Sequence, residues 1–212
     1  EAADRFLPHG SIIAVSGNIQ HDEVVCEIEK ATQGWKGTPT EIENSKPPVR
    51  GQHWIHHDSS QVHVGIAMDA PNASEENSIL ETIAVNVFGG ASSGRLFTQV
   101  RQRRSLCYHV SAQYGASRTR SVLKIHAGTT PERVDETIDV CLEQLAELKN
   151  GLSADEFART VRRMKSRIVM QGESTSSRAS SLWADQFALS RPRSLQDKID
   201  EFGAVTLECV NE

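Results

Sequence analysis

The sequence has 212 residues, a length that suits one large domain or two small ones and allows a full hydrophobic core. The formal net charge of −5 argues against a nucleic-acid-binding protein, because contacts to phosphate need a basic face. No apolar stretch approaches the length of a transmembrane helix, and four scattered cysteines argue for free thiols rather than a disulfide framework.

The first 36 residues predict a strand and a helix. The apolar run from Ser11 to Ile19 ends in Gly and Asn, which is typical of a buried strand followed by a turn. The next segment has apolar residues on one side and predicts a helix that stops near Gly34. Residues 37–51 are polar and rich in proline, so we expect an extended linker there.

Residues 52–212 predict the main domain, and its first half mixes strands with helices. Two strand-like runs flank a turn at Asp58, and the second run alternates apolar and polar residues. A capping pattern at Ser74 predicts a helix that the pair Gly89 and Gly90 stops. A shorter helix is expected at about 93–103.

The second half of this domain predicts a hairpin and a group of helices. The strand-like runs "CYHVSAQYG" and "SVLKIHAGTT" are joined by a polar turn. The clearest helix has Pro131 in its first turn, and a capping pattern from Ser153 to Glu156 opens the next one. Because strand pairs joined by short turns alternate with separate groups of helices, we expect an α+β fold.

The sequence motifs of zinc peptidases are absent. The chain contains neither HExxH nor HxxEH. The glycine-rich segment that begins at Gly89 lacks the GK[ST] ending of a P-loop. Cys107 and His109 would share one strand face, with Cys107 held in the sheet, so a catalytic cysteine is disfavoured. We therefore predict no catalytic residue and no metal ligand in this chain.

Histidines between residues 53 and 63 raise a metal-binding hypothesis. Four imidazoles fall within eleven residues: His53, His56, His57 and His63. His53 and His57 would share one face of an extended strand, and His56 would point to the other. No pattern of acids and cysteines completes a known site, which favours solvated histidines on an edge strand. An independent metal-binding module stays open as an alternative.

Arg101 and Tyr108 are the residues that spacing singles out for binding. Arg101 lies near the end of the short predicted helix, next to the inward-facing Val100. Tyr108 lies seven residues later, at the start of a predicted strand. A guanidinium and a phenol can both donate hydrogen bonds to one carbonyl oxygen, which suits holding a peptide.

The run "FGGASSGRLFTQVRQRRSLCYHVSAQYG" resembles the glycine loop and the SRLF, VR and LxY motifs of a zinc peptidase family. That family is typified by pitrilysin, insulin-degrading enzyme and mitochondrial processing peptidase. The segment "SIIAVSGNIQHDEVV" resembles the strand and helix that join the two halves of that family, which implies a joining strand and helix in residues 1–36. The segment "VTLECVNE" and the long helical stretch that starts at "PERVDETID" are also similar to it, so the resemblance covers nearly the whole chain. Gly94 is an insertion relative to the commoner SSRLF.

The resemblance implies a sheet, antiparallel or mixed, that packs against helices on one side. It also implies two homologous halves that close around a peptide, one with zinc bound by HxxEH and one without metal. This chain matches the half without metal, with zinc as cofactor only in the partner half, fused or separate. Arg101, Tyr108, Gly89 and Gly90 match the positions that bind substrate. A chain that starts with Glu1 and lacks the family's last strand suggests a fragment of a longer peptidase.

Several points stay open at the level of sequence. A non-catalytic scaffold subunit would keep the same fold without the chemistry, and a homodimer of this fragment is compatible with the sequence. Neither the natural peptide nor the cellular compartment is defined. We expect no nucleic-acid partner and no membrane span.

Overall fold

Three antiparallel strands with helices on one side form the fold, which a computed structural model describes for residues 7–37 and 49–212. β1 (Val62–Ala70) and β2 (Cys107–Gly115) lie on either side of β3 (Ser121–Thr129). Both outer strands pair with β3 in antiparallel register. The α+β fold class expected from the sequence is confirmed.

The two faces of the sheet differ in burial. One face packs against helices, and its residues include Leu123, Ile125 and Ala127, which are at most 4% exposed. We call the other side the open face. Its residues are His63, Gly65, Ala67 and Asp69 of β1, Val122, Lys124, His126 and Gly128 of β3, and His109, Ser111 and Gln113 of β2.

The described helices are α1 (His21–Thr32), α2 (Ser78–Gly89), α3 (Val134–Ala146), α4 (Ala154–Gly172), α5 (Thr175–Leu189), α6 (Leu195–Ala204) and α7 (Leu207–Asn211). A π-helix spans Phe97–Arg103, and short 3₁₀ turns at Pro131–Arg133 and Glu147–Asn150 flank α3. Within the described ranges, every helix is too short or too polar to cross a membrane.

Helix α2 lies between two apolar clusters. Its residues Val85 and Phe88 join the core between the sheet, the π-helix and α3. Ile83 and Val87 lie on another side of the same helix and, with Leu152, form a second core against residues of α4, α6 and α7. Because α2 is apolar on two sides, it fixes the sheet relative to the C-terminal helices.

Several predicted boundaries hold and others do not. α2 ends at Gly89 as expected, but it begins at Ser78, four residues after the predicted cap at Ser74. The capping box of Ser153 and Glu156 at the start of α4 is confirmed by reciprocal hydrogen bonds. Residues 93–103 do contain a helix, which has π geometry from Phe97 onward.

Two predicted strands are wrong. The run from Ser11 to Ile19 forms no strand, and Ile13 is 54% exposed; residues 52–57 are also irregular and exposed. An apolar run becomes a strand only beside a pairing partner, and neither run pairs with a strand in the part of the chain that is described. Within residues 7–36, the described part of the predicted joining segment, the helix α1 forms and the strand does not. Most of the predicted linker at 37–51 lies outside the described residues.

The four cysteines are free thiols, two buried and two exposed. Cys107 and Cys141 lie in the main core, whereas Cys26 and Cys209 are exposed. Burial, with the neighbouring Cys107 thiol, raises the pKa of Cys141 to about 12. Because the thiolate is the nucleophile, these two core thiols are packing groups rather than reactive ones.

Candidate functional site

The π-helix places Arg101 at the surface, next to the core residue Val100. Leu96 and Val100 are fully buried and anchor this segment against the sheet. Arg101 points outward, and its guanidinium carbon lies 5.1 Å from the centroid of the Phe97 ring. A cation over an aromatic face gains electrostatic attraction, so this contact orients the arginine while its N–H donors stay free.

Arg101 differs from its neighbours in having no polar partner. The other arginines of this segment are engaged, Arg95 with Glu156, Arg103 with Gln99 and Arg104 with Glu143. Within residues 7–37 and 49–212, no hydrogen bond or ion pair occupies the Arg101 guanidinium. An exposed guanidinium without a partner has all its donors available for a ligand.

Tyr108 lies on β2 at a β-bulge. Cys107 is opposite Thr129 and His109 is opposite Gly128, so Tyr108 is the extra residue between them. Tyr108 is 63% exposed, and no described residue bonds to its hydroxyl. Bulges re-aim side chains near functional sites, and this one presents the phenol at an outer strand of the sheet.

The bulge also corrects the prediction that Cys107 and His109 share a face. Cys107 is buried against the helices, whereas His109 is exposed on the open face. One extra residue reverses the alternation, which period-2 reasoning assumes to be unbroken. Burial raises the pKa of the Cys107 thiol, and the charge of Arg101 opposes the rise, so that guanidinium lies near the start of β2.

Buried threonines fix the turn that joins Arg101 to Tyr108. Ser105 has a left-handed conformation with φ of 51°, and the carbonyl of the next residue, Leu106, accepts a buried hydrogen bond. The Thr129 hydroxyl donates to this carbonyl oxygen at 2.5 Å, and the Thr137 hydroxyl lies 3.2 Å from that of Thr129. Arg133 donates to the Ser105 carbonyl at 2.6 Å. Three groups from β3 and the start of α3 therefore hold one turn.

Replacing Thr129 with Val is expected to destabilise the protein by about 1–2 kcal/mol, because the buried Leu106 carbonyl loses its closest donor. The free energy of unfolding, from chemical denaturation, measures the loss. Thr119→Val, an exposed change on the β2–β3 turn, is the control. An equal loss in both variants would show that the Thr129 hydroxyl contributes no specific stability.

The predicted glycine positions have different surroundings. A Cβ at Gly89 would lie 2.7 Å from the Ala112 backbone nitrogen, and Gly89 is buried. Gly90 is exposed, and a Cβ there would meet Asn86 at 2.6 Å. Gly89 therefore allows α2 to pack closely on β2, while Gly90 lies at the surface of the loop. Arg163 donates to the Asn86 carbonyl at 3.3 Å and to the hydroxyl of Ser93 at 3.2 Å, which ties this loop to α4.

Arg95 and Glu156 form an ion pair that anchors the start of the π-helix segment. The Arg95 Nε lies 2.8 Å from one Glu156 oxygen, and an Nη lies 3.0 Å from the other. The same guanidinium donates to the carbonyl of Gly151 at 2.8 Å. Hydrogen bonding by Arg95 lowers the pKa of Glu156 to about 2, against the opposing effect of burial. A polar cleft of about 280 Å³ surrounds this pair. We assign the pair a structural role, because its donors and acceptors are already used.

The histidines of the metal-binding alternative do not assemble into a cluster. His53, His56 and His57 lie in the irregular segment before β1, and His63 lies on β1 itself. No group of three His, Cys, Asp or Glu side chains is placed to hold a metal ion within the described residues. The residues present in this part of the chain do not fit a zinc site.

A different set of histidines comes together on the open face. His63, His126 and His109, which we call the histidine row, belong to the three strands in spatial order. The ring centroids of His63 and His126 are 5.6 Å apart, as are those of His126 and His109. Sequence reasoning missed this row because the three residues are far apart in the chain and the bulge turns His109 outward.

Comparisons with known proteins place the chain in a family. Residues 3–164 match the peptidase M16 inactive domain. The chain is 28% identical over 212 residues to YmxG of Bacillus subtilis, which is named an uncharacterized zinc protease. The aligned region covers 98% of this chain and 51% of that protein. This chain thus spans about half the length of the curated relatives it matches.

Solved structures share the fold. A peptidase M16 inactive domain from Pseudomonas fluorescens superposes with a TM-score of 0.79 at 19% identity, covering 92% of this chain and 48% of the other. A chain of complex III2 from Candida albicans gives a TM-score of 0.72 at 17% identity, with coverage of 92% and 49%. The family expected from the motifs is confirmed: this chain belongs to the peptidase M16 family, as its inactive C-terminal domain.

Proposed function

We propose that this chain is the substrate-binding half of a zinc peptidase and holds an extended peptide through Arg101 and Tyr108. The observation that carries the proposal is the pair of exposed donors without partners, on neighbouring elements that the core holds rigidly. Arg101 and Tyr108 would donate to carbonyl oxygens of the peptide. Gly89 and Gly90 would act through the loop that packs beside them.

The outer edge of β2 supports the same role. Among the described residues, β2 pairs with β3 on one side only, so an extended peptide could add to its other edge through main-chain hydrogen bonds. Such pairing gives affinity with little dependence on sequence, which suits a peptidase that accepts unfolded substrates.

The peptide would be cut by groups outside this chain. The described residues contain no fitting metal site, and YmxG, which is twice as long, is named a zinc protease. Zinc in the other half of the protein would activate a water molecule and polarise the scissile carbonyl. Donors on this half would reach the same carbonyl only after the two halves close, which excludes bulk water.

Peptide binding without cleavage tests the proposal. The full-length protein that contains this chain, with its metal removed, is titrated into a labelled unstructured peptide, and fluorescence anisotropy gives the Kd. Tyr108→Phe and Arg101→Ala are each expected to weaken binding about tenfold, since each removes a hydrogen bond to a carbonyl. Arg120→Ala, which removes an exposed arginine from the β2–β3 turn, is the control and should leave the Kd unchanged.

Unchanged affinity in both site variants would overturn the substrate-binding role. In that case a scaffold function on the same fold would explain the sequence better, with the exposed Arg101 and Tyr108 serving another contact. Weakened binding in Arg120→Ala to the same degree would point to general charge attraction instead of a defined site.

A further inference from the structure

The histidine row lies around Gly128 on the open face of the sheet. His63 of β1 and His109 of β2 are both opposite Gly128 of β3, one on each side. A Cβ on Gly128 would lie 3.8 Å from the His63 ring, which extends over the glycine. His126, two residues along β3, closes the third side. Three imidazoles of the open face therefore lie around a buried residue that has no side chain.

The charges around the row favour an anion. Among the described residues, the titratable groups that act on His126 are His109 and His63, and both disfavour its charged form. Lys124 is exposed on the same strand, and its cross-strand neighbours Ala67 and Gln113 are uncharged. The acid of the open face, Asp69, is about 20 Å from His63 along β1 and pairs with Arg50. A surface that can carry positive charge lies here on a protein with net charge −5.

The position of the row connects it to the peptide site. His109 directly follows Tyr108 on β2, and both side chains are exposed. Successive residues of an extended chain are about 3.3 Å apart, so a peptide held at Tyr108 would bring a side chain within reach of the imidazoles. We infer that the histidine row binds an Asp or Glu side chain of the peptide, close to the bond that is cut. The inference rests on the proposed function.

The affinity of the histidine row for a carboxylate should depend on the protonation of its imidazoles. Burial, followed by repulsion from His109 and His63, lowers the pKa of His126, so in the free protein this imidazole stays neutral to a lower pH than usual. A carboxylate placed among the rings reverses the repulsion, because imidazolium donates a charge-assisted hydrogen bond to it. Binding of an acidic side chain should therefore take up protons and strengthen as the pH falls.

Matched peptides test the inference in the full-length protein with its metal removed. The peptides of each labelled pair have the same sequence except for one residue, which is Asp in one peptide and Asn in the other. A series of such pairs places this residue at different positions. At about pH 5.5 the best Asp peptide should bind about tenfold more tightly than its Asn twin, and at about pH 7.5 the ratio should fall to about two. The double variant His63→Asn, His126→Asn should bring the ratio to about one at both pH values. His21→Asn, an exposed change on α1, is the control and should keep the wild-type ratios.

The outcomes separate this inference from the proposed function. Equal binding of the Asp and Asn peptides at every position and both pH values overturns the inference, while Tyr108-dependent binding of the Asn peptides would keep the proposed function. An Asp preference that survives in the double variant also overturns it, because the acid then binds elsewhere. If neither peptide binds, the proposed function and the inference fail together.

Discussion

Tyr108→Phe or Arg101→Ala in the full-length, metal-loaded protein is expected to lower kcat/KM for peptide cleavage by about 10²-fold. Each change removes a donor that we propose to contact the substrate carbonyl where charge develops in the transition state. A rigid donor is worth more there than in the ground state, so kcat should fall more than binding weakens. Steady-state kinetics with a quenched fluorescent peptide would measure both parameters.

Metal content and a distant arginine supply the controls for this result. Zinc per protein, from atomic absorption, should equal that of the wild type in both variants, because the described part of this chain contains no fitting metal site. Arg120→Ala should retain full activity. Wild-type kinetics in both site variants would refute the assigned roles, and loss of zinc would instead indicate damage to the other half.

Glu156→Gln is expected to lower the free energy of unfolding at pH 7 by about 2–3 kcal/mol. The Glu156 side chain is 22% exposed, and its pKa falls from the ordinary 4.5 to about 2 through the hydrogen bonds of Arg95. A carboxyl with a depressed folded-state pKa contributes stability above its unfolded pKa and loses it as the pH falls. In the wild type this contribution should disappear between about pH 4.5 and pH 2.

Denaturant unfolding as a function of pH measures this contribution. The difference in free energy of unfolding between wild type and Glu156→Gln should be largest above pH 4.5 and should shrink towards pH 2. Glu143→Gln is a matched control, because Glu143 makes an exposed pair with Arg104 at 3.6 Å, which should be worth little. A difference that does not change with pH would mean that the glutamate acts through packing and not through its charge.

The sequence was sufficient for the fold class because its patterns are local. Alternation from Val62 to Met68 predicts β1, and the two runs joined by a polar turn predict the β2–β3 hairpin. The capping box at Ser153 can be predicted from the sequence because its partner, Glu156, is only three residues away. By contrast, Ser11–Ile19 is as apolar as a strand and forms none, since pairing depends on a distant partner that local sequence does not reveal.

Parts of the candidate site were predictable and parts were not. Arg101 and Tyr108 were singled out by residue type and spacing, and the structure shows that both are exposed. The π-helix and the bulge at Tyr108 had no sequence pattern to reveal them, since each shifts hydrogen bonding by one residue. The Arg95–Glu156 pair spans 61 residues, so its role in fixing the loop depends on tertiary packing.

Photo-crosslinking at position 108 tests the central claim most directly. Tyr108 is replaced by 4-azidophenylalanine in the full-length, metal-free protein, which is irradiated with a labelled unstructured peptide. The same replacement at Phe187, an exposed aromatic on α5, is the reference. If this half holds the substrate, position 108 should crosslink to the peptide, unlabelled peptide should compete, and position 187 should not react. No crosslink at 108, or equal yields at both positions, would contradict the account.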